Sequence, residues 1–328
     1  MLNIQYSISK WSALLLHHSS FIIQDSALTY LLSNSGKQKL PPLHHSSSHS
    51  GPDLGDTFIL MKRGLVVFSP GEVAALRVTV AGIVLLPLAL IRRKQVSSKH
   101  VSKLFYSGMM GVFIPAFLFT TAQRHIDSSV AGILNTLSPI WTMIMGAVFF
   151  KLIFKRAAVI GILVGLVGTV LLMLSRTNGQ FAGFNLYGLL IVLACALYGL
   201  NLNYIKFNIA DLGSLTITSI SVILVAPLGA IYLFGFTNFI EKLMTTEGAW
   251  QAFGFIALLG LMSTAVAVSI FNRLVKMTTP LFASSVTYII PVVSVMWGVL
   301  DGEQLLISHL IGMGAILGGV YLANRKSN

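Results

Sequence analysis

From about Glu72 to the C-terminus, apolar runs follow one another with only short polar breaks between them. A helix needs about 20 predominantly apolar residues to cross a bilayer. The runs are continuous rather than alternating, which argues against a membrane barrel, and lipid admits only helices or closed barrels. The pattern predicts helices near residues 72–91, 104–123, 129–150, 157–175, 185–205, 214–235, 250–271, 281–300 and 305–323. Before them, Thr57–Phe68 is apolar for only a dozen residues and holds Lys62 and Arg63, so it reads as a truncated first helix. The expected fold class is an all-α polytopic membrane protein, a bundle of ten helices.

Two of these helices interrupt their apolar runs in the same way. Residues 129–150 carry Asn135, Ser138, Pro139 and Thr142, and residues 281–300 carry Thr287, Pro291 and Ser294. Placing Pro139 on Pro291 places Asn135 on Thr287, Thr142 on Ser294 and Gly146 on Gly298. Later in each half, Gly161 and Gly168 match Gly312 and Gly319 after a one-residue gap. The chain therefore reads as two five-helix repeats, 57–175 and 185–323. Five is odd, so the second repeat enters the membrane in the opposite sense, and a site near midplane at the repeat interface is the corresponding transporter plan.

Charge refines the topology. Only 10% of the 328 residues are charged and the mean hydropathy is +0.82, against about 25% charged residues in soluble domains. The formal charge of +12 collects in alternate loops, among them Arg92, Arg93, Lys94, Lys99, Lys103, Lys155 and Arg156. Basic residues mark cytoplasmic loops, which puts both termini in the cytoplasm and makes nucleic acid an unneeded explanation of the charge. The single cysteine, Cys195, forms no intrachain disulfide and reads as packing.

Residues 1–56 differ from the rest. They are rich in Ser and hold His17, His18, His44, His45 and His49, with no run long enough to span. A clean apolar core with a small-residue cleavage site, as a signal peptide requires, is lacking. A metal-binding tail, a disordered extension and a misassigned or disrupted reading frame all remain open for this stretch. SNSGKQK at 33–39 lacks the leading Gly and the Ser/Thr of a P-loop.

Several stretches resemble the drug/metabolite transporter superfamily, with two EamA domains. GDTFILMK (55–62) resembles the first-helix signature without its tryptophan, and SPGEVAALR (69–77) the start of the second helix with its arginine. SSVAGILNTLSPIWT (128–142) and ASSVTYIIPVVSV (283–295) resemble the proline-bearing fourth and ninth helices. DGEQLLISHLIGMGAILGGVYL (301–322) resembles the Gly-Glu turn and glycine-rich last helix, whereas Lys151 stands where the first repeat would carry the glutamate. The resemblance implies a carrier of small metabolites in a bacterial-type inner membrane, often of amino acids or related compounds and more often for export.

Candidate site residues follow from the two unusual helices. A proline removes its own N–H and collides with the carbonyl four residues back. Those carbonyls belong to Asn135 and Thr287, so each helix offers a released acceptor beside a polar stripe. Such a stripe lines a substrate cavity or forms a kink glued by interhelical hydrogen bonds. Tyr198 and Asn201 share a face of the sixth helix, and Tyr288, Trp141 and Trp297 offer stacking surfaces. None of the ten acidic residues lies deep in a predicted span, so an embedded proton-relay carboxylate is not expected. The embedded charges are Lys62 and Arg77, which either snorkel and tie helices together or attract the carboxylate of an anionic metabolite. No HExxH, GxSxG, intramembrane carboxylate pair or metal cluster calls for an enzyme, a metal or a cofactor. A non-transporting scaffold or a lipid scramblase is the competing reading. The glycines of the fifth and tenth helices serve either the bundle or a homodimer.

Overall fold

The computed structural model describes residues 57–126, 128–176, 186–288, 292 and 307–324. The chain divides into two compact units, Met1–Leu60 and Met61–Asn328. In the first, only the opening turn of α1 (Thr57–Leu65) is described.

The described residues of the second unit hold helices and no strands. The elements are α2 (Pro70–Arg92, continued by a 3-10 turn Arg93–Gln95), α3 (Ser98–Gly108), α4 (Ile114–Gln123), α5 (Ser128–Asn135) and α6 (Ser138–Phe150). Then come α7 (Arg156–Arg176), α8 (Gly188–Asn208), α9 (Ser214–Gly235), the short α10 (Phe239–Thr245), α11 (Ala249–Leu259), α12 (Ala267–Met277), α13 (Pro280–Ser285) and α14 (Ile307–Asn324). Among the described residues, six spans are long and apolar enough to cross a membrane, and Arg156–Leu171 and Ile307–Ala323 are shorter apolar helices. The protein is an integral multi-pass membrane protein.

Where the predicted helices fall on described residues, helices stand near the expected places, with differences of form. The fourth is not one kinked helix: α5 stops at Asn135 and α6 starts at Ser138, with Pro139 in the first turn of α6, where its missing N–H costs no bond, whereas Pro87 and Pro227 lie inside the continuous α2 and α9. The third and eighth are each continuous but carry a π turn, Met109–Phe113 between α3 and α4 and Gly260–Val266 between α11 and α12. The ninth is described through α13, a 3-10 turn Val286–Tyr288 and Val292; the rest of it lies outside the described residues.

Packing follows the repeat. Between α2 and α9, Gln95 accepts a hydrogen bond from Thr216 at 2.6 Å, Gly82 lies against Ala226, and Gly71 against Tyr232. As the α2 positions fall, those of α9 rise, so the two helices run antiparallel. The same holds for α7 and α14, where Gly161 faces Gly319 and Ala323 while Gly168 faces Gly312 and Ala315. The helices that the sequence registers match between the two halves thus pair antiparallel. The glycines matched in the sequence are those that touch, which assigns them to the bundle. A methyl group at Gly161 would lie 2.4 Å from the Ala323 nitrogen and 2.6 Å from the Gly319 oxygen, both backbone atoms that cannot step aside.

One ion pair fixes the start of α2. Ser69 and Glu72 form a reciprocal capping box, and Lys242 in α10 reaches both Glu72 carboxylate oxygens at 3.0 and 2.8 Å. The Glu72 side chain is 1% exposed, so its charge depends on these donors.

Two measurements of thermal unfolding in detergent check this packing. Gly161→Ala is expected to cost about 1–3 kcal/mol through overpacking, whereas Gly254→Ala, with open space around its Cβ position, is expected to be neutral or stabilising. Lys242→Met is expected to cost about 1–3 kcal/mol by leaving Glu72 buried and underpaired, and the double variant with Glu72→Gln to recover part of that loss.

Candidate functional site

The two π turns occupy equivalent places. The register that places Pro139 on Pro291 also places Gly108 on Gly260 and Phe119 on Phe271. A methyl group at Gly108 would meet the Ser221 carbonyl oxygen at 2.4 Å, and one at Gly260 would meet the Arg77 carbonyl oxygen at 2.8 Å. Each glycine therefore lets a third helix of one repeat press onto the second helix of the other. A π turn displaces the following side chains from ordinary helical spacing and is common at functional sites.

In the second repeat this displacement presents Ser263 and Thr264 to Arg77. The guanidinium donates from Nε to Thr264 Oγ1 at 2.8 Å and from Nη2 to Ser263 Oγ at 3.0 Å. These bonds use two of its five donors. Both partners are neutral, and no ion pair of Arg77 with a carboxylate occurs among the described residues. The hydroxyls orient the cation across the repeat interface without cancelling its charge. Sequence reading missed both, although a Ser-Thr pair inside an otherwise apolar span was a signal.

Helix α8 extends the site from Arg77. Tyr198 lies within electrostatic range of the guanidinium and stacks on Phe119 of α4, with ring centroids 6.0 Å apart. One turn earlier, the Cys195 thiol donates to the Leu134 carbonyl at 3.5 Å and, more weakly, to Asn135 at 3.8 Å. Cys195 is thus a partner of the α5–α6 break, beyond simple packing. The released Asn135 carbonyl also accepts the Ser138 hydroxyl at 2.7 Å. Helix α8 thus carries Tyr198 toward Arg77 and Cys195 onto the α5–α6 break.

Other candidates sit at helix contacts. Thr142 is 1% exposed, and its hydroxyl returns to the Ser138 carbonyl at 2.8 Å. Its own carbonyl accepts from Asn203 at 2.9 Å, where α6 presses on Gly199 of α8. Asn201 accepts from Ser107 at 2.8 Å and holds α8 to α3. Tyr288 is fully buried, its ring against Gly165 and its hydroxyl donating to the Ile162 carbonyl at 3.1 Å. Thr287 returns its hydroxyl to the Ser284 carbonyl at 2.8 Å. Lys62 is half-buried on α1, where the neighbouring Arg63 lies over the Phe255 ring at 5.1 Å. Pro291 and Ser294, together with Trp297, fall outside the described residues.

Known proteins share this plan. An uncharacterized transporter of Archaeoglobus fulgidus is 27% identical over 83% of this chain and 95% of its own length. The uncharacterized inner membrane transporter YedA of Escherichia coli K12 is 24% identical over 82% of this chain and 86% of its own. The uncharacterized transporter YoaV of Bacillus subtilis is 23% identical over 82% and 91%. A crystal structure shares the fold with a TM-score of 0.58 at 22% identity, covering 82% of this chain and 94% of that one. The model of the EamA-like transporter family matches residues 54–174 and again 185–325. With both halves of the bundle accounted for, the chain belongs to the EamA-like transporter family.

Proposed function

We propose that the protein is a secondary carrier of a small, amino-acid-like or otherwise anionic metabolite, exported by alternating access between the repeats 57–175 and 185–323. The observation that carries this reading is Arg77, embedded in α2 and held by two neutral hydroxyls of the opposite repeat. An unpaired arginine costs about 2.5–3.5 kcal/mol at the centre of a span on insertion scales and less toward its ends, and Arg77 lies in the outer third. An arrangement that orients such a cation without neutralising it suits a site that receives the missing negative charge from its cargo. Tyr198 and Phe119 supply an apolar wall beside it, and Asn135 and Ser138 supply polar edges near the α5–α6 break.

Because Arg77 and its partners Ser263 and Thr264 lie in different repeats, any rocking of one repeat against the other alters the site. Loading and conformational change are then coupled without an added device. The loop charges support a topology with both termini cytoplasmic, in a bacterial-type inner membrane.

Flux of a mixed amino-acid and carboxylate pool in proteoliposomes tests this. Arg77→Gln is expected to lower transport roughly 10- to 100-fold, as expected for loss of a charged hydrogen-bonding partner. Arg77→Lys is expected to keep part of the activity, since it retains charge but not the planar fork. Ser263→Ala combined with Thr264→Val is expected to give an intermediate loss. Unchanged flux with both Arg77 and Lys62 replaced by Gln would sink the anion reading, and lipid flip without solute flux would favour a scramblase.

A further inference from the structure

One end of the bundle is sealed twice. An apolar cluster there draws Ala89 from α2, Leu104 from α3, Ile205 from α8, Ile217 from α9, Val275 from α12 and Ala283 from α13. Over it, two lysines exchange caps. Lys206 donates to the carbonyls of Val275, Lys276 and Thr278 at 3.4, 3.1 and 2.6 Å, where α12 ends. Lys276 donates in return to the carbonyls of Ala210 at 2.7 Å and of Leu212, just past α8. Orphan carbonyls at helix ends need such donors, and a cation there also opposes the helix dipole.

The opposite end is built on the same frame. The register that places the α2 cap Ser69 on the α9 cap Gly213 places Met61 on Ile205, Lys62 on Lys206 and Val73 on Ile217. The register of the proline helices places Ala131 on Ala283. Met61, Val73 and Ala131 are each no more than 1% exposed, as a seal demands. The counterpart of Val275, however, is Gln123 at the end of α4. It is 2% exposed, and neither Nε2 nor Oε1 has a hydrogen-bond partner among the described residues.

A buried amide with nothing to bond costs free energy that a valine at that place would not. Gln123 lies one helical turn beyond Phe119, on the face of α4 that stacks against Tyr198 of α8. We propose that Gln123 is the gate residue of the end opposite Lys206: when α4 parts from α8, its amide takes its hydrogen bonds from water and the passing solute. The unsatisfied amide makes this seal the weaker of the two, while the apolar seal with exchanged lysine caps stays shut. This inference rests on the carrier reading for its role in transport, but its structural content is testable without a substrate.

The single native cysteine, Cys195, buried on α8 one turn before Tyr198, serves as reporter. Its labelling by a charged, membrane-impermeant thiosulfonate is measured with reagent on either side of oriented proteoliposomes, beside melting temperature in detergent. Gln123→Val is expected to raise the melting temperature and to lower labelling from the Gln123 side about tenfold, the population shift of a closed gate. Gln123→Asn is expected to label like the unaltered protein. Val275→Gln is expected to raise labelling from the Lys206 side by a similar factor. If Gln123→Val stabilises the protein yet leaves labelling from both sides within about twofold, the amide is a packing defect and the proposal is overturned. Should Gln123→Val fail to fold, unchanged labelling of Val275→Gln overturns it instead. Normal labelling shifts with no solute flux in the unaltered protein would sink the carrier reading and leave the gate standing.

Discussion

The close antiparallel approach of equivalent helices, α7 on α14 and α2 on α9, is the constraint on which the rest of this bundle depends. Lipid tails are as apolar as leucine, so helices in a membrane associate through van der Waals packing and hydrogen bonds rather than by leaving solvent. Contact must therefore be intimate, and Gly161, Gly168, Gly312 and Gly319 bring backbone against backbone. Because the pair runs antiparallel, Gly161 meets Gly319, the match of Gly168, and Gly168 meets Gly312, the match of Gly161. A side chain added on one helix is opposed by unyielding backbone on the other.

Once the second and fifth helices of each repeat are tied to their counterparts, the third helices have to cross the opposite repeat at close range. Gly108 and Gly260 meet that requirement, and the π turns beginning beside them re-aim the following residues. The two crossings are equivalent in backbone but differ in chemistry. Arg77 with Ser263 and Thr264 occupies one; Ser221 occupies the place of Arg77 in the other, and Gly111 the place of Ser263. A symmetric scaffold thus carries a one-sided cation. The ends repeat the theme, with an amide at one where the other has Val275.

The proline helices show how local chemistry and packing divide the work. The chain breaks before Pro139 opens α6, and the break leaves the Leu134 carbonyl a turn bond from the Leu137 N–H and releases the carbonyl of Asn135. The Ser138 hydroxyl and the Cys195 thiol answer them, one from the same strand of chain and one from α8. The polar stripe of the fourth helix is accordingly shared: Asn135 and Ser138 meet at the α5–α6 break beside Cys195, while Thr142 is consumed in holding α6 to α8.

Apolar run length determined by itself that this chain is helical and membrane-embedded, because lipid leaves the backbone of such continuous runs only the helix for its hydrogen bonds; the duplicated proline pattern pointed to an internal repeat. They also placed Arg77, Tyr198, Asn135 and Ser138 among the candidates. Only the tertiary structure decided which of the polar residues face one another. The π turns leave no mark in hydropathy, since they change the phase of a helix and not its composition, and so Ser263 and Thr264, legible as a polar pair in an apolar span, could not be paired with Arg77 from the sequence. Gln123 was equally silent: a glutamine at a helix end reads as a solvated residue until the neighbouring helices are seen to bury it. The ring of Tyr288 lies against Gly165 and its hydroxyl bonds the Ile162 carbonyl, contacts that periodicity could not foresee because it reports a face and not what covers it.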